Sequence, residues 1–256
     1  MPGFDYDTID VDDYERYRPS YASEAVEWFK RRAGLSPHAR VLDLAAGTGK
    51  LTRALFAAGM DVLAVEPSAM MRRKLAEAIP VERVMQGTAE AIPLPDESVD
   101  AVTVAQAFHQ FRLNDAIQEI YRVLRKGGHL ALFWNVYRPG DPTKVAVDEI
   151  IDQYIPPEIA VQAASGIWQE ALRSSDRFES IEGRAFPHPH TLPAARLGAL
   201  MATSSDIAGL PPGPRGRLLN EMEELARSVS SAELTIDAGT RVDLFRRMIG
   251  YQHTTG

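Results

Sequence analysis

Asp43, Ala45, Gly47 and Gly49 occupy alternate positions in the stretch VLDLAAGTGK (41–50), and Glu66 follows at the end of the next apolar run. A glycine turn behind an apolar run lets the backbone approach a ligand closely. A carboxylate one strand away can accept hydrogen bonds from both hydroxyls of a ribose. Three loop chemistries compete for such a turn. A phosphate loop requires G-x-x-x-x-G-K-[ST]; Gly49-Lys50 supplies its end, but Leu51 stands where a hydroxyl must reach magnesium and Leu44 where the first glycine must turn. A dinucleotide loop, G-x-G-x-x-G, requires glycines at 45, 47 and 50, where the chain has Ala45, Gly47 and Lys50. Lysine at the last position opposes close helix–strand packing. The third pattern, [DE]-x-G-x-G-x-G, is met by Asp43, Gly47 and Gly49, with Ala45 in place of the first glycine. The methyl group of Ala45 restricts positive φ, so this position is expected to keep ordinary L-residue geometry.

These residues need a scaffold, and the apolar pattern predicts one. Residues 1–20 read as an irregular, tyrosine-rich arm, followed by a helix capped by Ser20 or Ser23, carrying Ala25, Val26, Trp28 and Phe29 and ended by Gly34. Strands are expected at 39–44, 61–66, 81–87, 99–106 and 129–135. Helices through Leu51 and Leu55, through Met71 and Leu75, and from an Asn114 cap to Leu124 alternate with them; Pro67 and Ser68 open the second. Continuous apolar strands alternating with helices predict a parallel sheet covered on both faces. Beyond Asn135 the pattern changes. Residues 136–176 and 192–230 read as helical insertions forming a cap, 178–188 as a sixth strand, and 234–247 as a strand pair or bent strand.

The third loop pattern resembles that of the class I S-adenosylmethionine-dependent methyltransferases, in particular their small-molecule (type 11-like) branch. The likeness runs through residues 39–135. It implies a Rossmann-like fold with a seven-stranded, mostly parallel sheet, helices on both faces and a helical cap, residues 1–256 forming one domain. In that family the glycine loop approaches the methionine part of the cofactor, so Asp43, Ala45, Gly47 and Gly49 become cofactor-binding candidates, and Glu66 with Pro67 those for the ribose. The segment from Gly87 to Asp100 resembles the family's adenine loop, with Thr88, Ala89 and Glu90 at the ring edge and Met71 or Met70 over a face. At the end of strand four, Gln106 is expected at the amino-acid portion, Phe108 and Phe111 as pocket wall or core, and His109 as a general base or a loop-holding histidine. The run Tyr14-Glu15-Arg16-Tyr17-Arg18-Pro19-Ser20-Tyr21 resembles a segment that closes over the cofactor. It implies a lid (residues 1–38) in which Arg18 meets the methionyl carboxylate and Tyr17 the methionyl chain.

The implied chemistry is in-line methyl transfer from S-adenosyl-L-methionine, with S-adenosyl-L-homocysteine as product. The cofactor brings the reactivity and the protein aligns the acceptor. A cofactor-binding protein without transfer activity and an NAD-dependent oxidoreductase remain the competing expectations. Trp168, Met201, Ile207 and Leu210 in the cap suit an apolar or aromatic small molecule, or plain packing between helices. The 256 residues carry a formal net charge of −7 and only short basic runs, which opposes nucleic acid as a partner. Cysteine is absent, excluding disulfides and thiolate chemistry. His188 and His190 lack a neighbouring carboxylate, so no metal is expected. No apolar run is long enough for a membrane span, and the polar, acidic N-terminus does not read as a secretory signal; a cytoplasmic location is expected.

Overall fold

The computed structural model describes residues 9–155, 166–229 and 232–249. Its main sheet has seven strands: β1 (Arg40–Leu44), β2 (Asp61–Val65), β3 (Val84–Met85), β4 (Val99–Ala105), β5 (Leu124–Tyr137), β6 (Phe178–Pro187) and β9 (Ala238–Arg247), in the order β3-β2-β1-β4-β5-β9-β6. The five strands from β3 to β5 run parallel; β9 is antiparallel to both β5 and β6. Strand order reverses beside β1, and in open parallel sheets the crevice beyond the strand ends at such a point receives ligands.

Helices cover both faces. On one, α5 (Leu113–Val123) and α7 (Ile167–Ser174) bury Ile117, Ile120, Trp168 and Leu172 against Val102, Val104, Leu130 and Leu132. On the other, α2 (Ser23–Arg32) and α3 (Lys50–Ala57) bury Trp28, Phe29, Leu51 and Leu55 against Val41, Val62, Ala131 and Phe133. Alternate residues of a strand point to opposite faces, so Leu132 and Phe133 serve different cores. A third, separate core belongs to the cap, built from α6 (Pro142–Ile151), α8 (Leu197–Ala202), α9 (Ser205–Ala208), α10 (Pro212–Val229) and a small antiparallel sheet of β7 (His190–Pro193) and β8 (Glu233–Ile236).

Several boundaries differ from expectation. Of the arm expected over 1–20, residues 1–8 lie outside the described residues, and 11–17 are not irregular: α1 (Val11–Tyr17) forms because the Asp10 carboxylate accepts from the Asp12 and Asp13 N–H groups. Helix α2 is entered through Ala22, whose N–H donates to Thr240 Oγ1, rather than through a serine cap. The expected strand at 81–87 shrinks to two residues behind a 3₁₀ turn, Val81–Arg83. Strand β5 starts at Leu124, because the Gly127-Gly128 pair forms an irregularity within the strand instead of ending the helix; pairing shifts register opposite it, between Val99 and Ala101. Helix α5 starts at Leu113 behind Arg112, not behind Asn114. The 234–247 stretch divides at Asp237 into β8 and β9, which join different sheets.

Candidate active site

The loop between β1 and α3 is fixed from below. Asp43 is fully buried and accepts from Thr52 Oγ1 at 2.6 Å and Thr103 Oγ1 at 3.0 Å, tying β1 to α3 and β4. Burial pushes its carboxyl up to about 6, against the pull of the two hydroxyls. Gly49 caps α3 with φ +88°, a backbone that L-residues rarely adopt, and a Cβ there would stand 2.3 Å from Leu75 Cδ1 of α4 (Ala69–Ala76), so a side chain would strain the turn and displace the buried Leu75 side chain. Gly47 has φ +58°, and a side chain on it would point at the Tyr14 hydroxyl across the groove. Ala45, expected in ordinary geometry, instead adopts φ +56°. The turn imposes a left-handed residue, and the chain carries that strain on alanine.

Glu66, 4% exposed, links this loop to the next strand end. Its Oε2 accepts from the Gly47 N–H at 2.9 Å and its Oε1 from the Ser68 N–H at 2.8 Å. These two bonds orient the carboxylate at the strand end beside the groove. Ser68 caps α4 through the Met71 N–H.

Two lobes of one groove lie above these strand ends and share Tyr14, Ala45, Gly47, Ala105 and Gln106. The wider, about 380 Å³, is lined by Glu66, Pro67 and Met71 on one side and by Thr88, Ala89 and Glu90 on the other. Glu90 Oε1 accepts from the Arg112 N–H at 2.9 Å, anchoring that loop to the start of α5, and Phe111 and Arg112 complete the far wall. Met71, 1% exposed, also packs with Ile9 and Val11 of the arm. Gln106, like Ala45, has positive φ (+60°), and its N–H donates to the Phe133 carbonyl. The narrower lobe, about 120 Å³, is lined by Arg18, Tyr21, Thr48, Lys50, Asn135 and Tyr137.

Of the candidates named from sequence, Ala45, Gly47, Glu66, Pro67, Met71, Thr88, Ala89, Glu90, Gln106 and Arg18 come together on this groove. Asp43 and Gly49 shape the loop from behind. Tyr17 faces the other way, buried in the cap core with Leu197 and Leu200. Its place over the groove is taken by Tyr14, one turn earlier, whose ring lies 5.5 Å from the Arg18 guanidinium carbon. Arg18 Nε donates to Thr203 Oγ1 at 2.8 Å, fastening arm to cap. His109 lines neither lobe; it sits on a 3₁₀ turn (Phe108–Gln110) with its ring 5.9 Å from Trp134, and burial pushes its pKa down. His188 meets Ser20 Oγ at 3.0 Å and His190 is buried in β7. Among the described residues there is no cluster of three metal-ligating side chains. Trp168, Ile207, Met201 and Leu210 are spent in the two cores and line neither lobe. Sequence reasoning placed Tyr14 and Tyr21 in the closing segment without giving either a role, and passed over Asn135 and Tyr137; the Asp10 cap, which makes Tyr14 and Arg18 (i, i+4) neighbours, was the signal available for the first.

A glycine turn, an acid at the second strand end and a loop at the third are set around a groove at the strand-order reversal, where Rossmann-like folds receive their ligands. A methyltransferase-domain profile matches residues 42–132. An uncharacterized methyltransferase-like protein of Schizosaccharomyces pombe is 34% identical over 227 residues, 88% of each chain. An uncharacterized methyltransferase of Mycobacterium tuberculosis is 53% identical over 122 residues, and that match spans 48% of this chain and about half (49%) of the relative. The chain belongs to the class I S-adenosylmethionine-dependent methyltransferase family. Among solved structures, a candidate type II methyltransferase from Anaeromyxobacter dehalogenans superposes with TM-score 0.62 at 22% identity, covering 91% of this chain and 98% of that one. The [4+2]-cyclase SpnF superposes with TM-score 0.51 at 18% identity, covering 92% and 89%. These likenesses concern the fold. No helix among the described residues is long and apolar enough to cross a membrane.

Proposed function

We propose that the protein transfers the methyl group of S-adenosylmethionine to a small-molecule acceptor, releasing S-adenosylhomocysteine. The observation that carries this reading is the single groove in which the Gly47 N–H and Glu66 share a hydrogen bond between two strand ends, with the 88–90 loop opposite. The residues fit the cofactor chemically. Glu66 accepts from ribose hydroxyls, and the wall of Thr88, Ala89 and Glu90 faces the base. At the other end the guanidinium of Arg18, whose terminal nitrogens have no protein partner among the described residues, suits the methionyl carboxylate.

The cofactor, when bound, supplies a carbon activated on a sulfonium, which needs alignment with a nucleophile more than it needs a protein nucleophile. Tyr14 reaches both lobes and so stands where they meet, with the arm beside it. We read α1 and the residues up to Tyr21 as a lid held closed by the cap through Arg18–Thr203 and by the segment after β6 through Ser20–His188. The NAD reading is opposed by Lys50, which reaches back to the Glu15 carbonyl at the position a dinucleotide loop gives to glycine. The fold alone does not choose between transfer and its absence, since a cyclase shares it.

Calorimetric titration with S-adenosylmethionine, S-adenosylhomocysteine and NAD tests the cofactor. Binding of the first two but not NAD is expected, and Glu66→Gln weakens both by about 10- to 100-fold, the worth of a charge-assisted pair of bonds. Binding of NAD alone sinks the reading. Turnover of labelled methyl separates an enzyme from a cofactor-binding regulator.

A further inference from the structure

Away from the groove, at the amino ends of the parallel strands, another cavity of about 530 Å³ brings Arg122, Arg177 and Arg247 together with Tyr121 of α5. The Tyr121 hydroxyl donates to the Met248 carbonyl at 3.1 Å and its ring meets Phe178 edge-on, so the ring is held in place. Two cations share it: the Arg247 guanidinium carbon lies 4.3 Å from the ring centroid and that of Arg177 4.9 Å. An aromatic face attracts a cation but carries no net charge to neutralise it. This cavity is separate from the groove. Glu97 precedes β4 and Gln106 follows it, so a strand about 20 Å long stands between the two.

The carboxylates of the cavity are shared unequally. Arg122 takes Glu119 at 2.7 Å and Asp96 at 2.8 Å, and donates also to the Leu94 and Ile92 carbonyls. Glu97 is paired with Arg247 at 2.9 Å. That leaves Arg177, whose guanidinium has no carboxylate and no hydrogen-bond acceptor among the described residues. Arg247 is paired through one nitrogen only. Its side chain is 9% exposed, and its Nε is enclosed without an acceptor. Burying a charged donor unpaired is costly, so such a group in a native structure points to an ion or a ligand. One unmatched cation and one orphaned donor on the same fixed ring form the donor set of an oxyanion site.

We propose that this cavity binds a small phosphate-bearing molecule, its oxyanion taken by Arg177 and Arg247 beside the Tyr121 ring. Phosphate suits two guanidinium groups better than a carboxylate does, because it brings at least three acceptor oxygens and up to two negative charges. The Gln118 amide, also in the lining, can donate to a further oxygen. Asp96, Glu97 and Glu119 line the same cavity and repel a polyanion such as a nucleic acid, which leaves room for a single phosphate group. The volume is that of an ordinary small-molecule site, so the body of an organic monoester fits as well as the bare ion. The inference is independent of what the groove at the other end of the sheet binds.

The test is calorimetric titration of the full chain with orthophosphate, with glycerol 3-phosphate and with acetate, all at matched ionic strength in chloride. The better of the two phosphates is expected to bind about tenfold or more tightly than acetate. A tighter ester identifies an organic phosphate as the ligand, and a tighter bare ion identifies free phosphate. Arg177→Gln should weaken binding about tenfold while leaving the thermal midpoint of the unliganded chain in place, and Arg177→Lys should recover part of the loss. Glu97→Gln removes the carboxylate that competes for Arg247 and should tighten binding by about threefold, a change that a purely structural ion pair would not produce. Phosphate held by Arg18 or Lys50 in the groove would survive Arg177→Gln unchanged. That survival, equal binding of phosphate and acetate, or weaker binding in Glu97→Gln overturns the proposal.

Discussion

The sheet and the cap bury apolar side chains equally well, yet the groove proposed to hold a ligand lies on the sheet side. In the cap, Leu197, Leu200, Leu218 and Met222 close on one another, and Tyr17 of the arm is absorbed into the same core. At the strand ends the opposite holds: Ala45 and Gln106 adopt left-handed backbone, Asp43 is a carboxylate kept in the interior, and Gly49 passes Leu75 where a Cβ would displace the leucine side chain. Left-handed backbone at Ala45 and Gln106 and the buried carboxylates of Asp43 and Glu66 thus lie at the proposed ligand groove, while the cap core is mainly apolar packing to which the arm is fastened.

Substitutions can break or sharpen this contrast. Leu218→Ala empties a fully buried cap position and should cost about 3–4 kcal/mol, seen as a lowered thermal midpoint, with S-adenosylhomocysteine affinity changed less than threefold. A parallel collapse of affinity would show the cap and groove to be one unit. Gly49→Ala should cost about 3 kcal/mol through left-handed strain and the clash with Leu75, and here cofactor affinity should fall together with stability. Retained affinity would mean that the loop's shape matters less than its neighbours do.

Asp43→Asn probes buried polarity. The carboxyl is held above its value in the unfolded chain, so its contribution to stability is fullest below pH 4 and is lost as pH rises through about 6. The stability of wild type relative to the variant should therefore fall by on the order of 2–3 kcal/mol between pH 4 and 7, measured by denaturant unfolding. A flat difference across that window would place the proton elsewhere. The smallest effect is expected for Ala45→Gly, which relieves the left-handed alanine. A gain of about 1 kcal/mol, or roughly 2–4 °C in midpoint, should appear with cofactor affinity unchanged.

What the sequence disclosed and what it hid divide along the same line. The loop glycines and Glu66 were legible because strand, turn and next strand fix their spacing locally. The 88–90 loop was legible for the same reason, following the third apolar run. Tyr14 and Tyr21 were legible only as members of the closing segment, and Tyr137 not at all, since it reaches the narrower lobe from the end of β5 through tertiary packing. His109 looked well placed by its position after strand four, but the 3₁₀ turn carries its ring toward Trp134. Strand β7 was hidden by the prolines that flank it, which usually mark a strand's absence. Trp168 and Ile207 were ambiguous between pocket and core, and burial decides for core.

Strand β9, inserted between β5 and β6, comes from the end of the described chain. As the polypeptide leaves the ribosome, β1 to β5 can pair in order, but β5 keeps an open edge and β6 has no neighbour until residues 238–247 emerge. Thr240, which receives the Ala22 N–H at the entry to α2, arrives with them. The first helix against the sheet therefore finds its final seat only once residues 238–247 have emerged, and until then the growing chain carries the uncovered edge of β5.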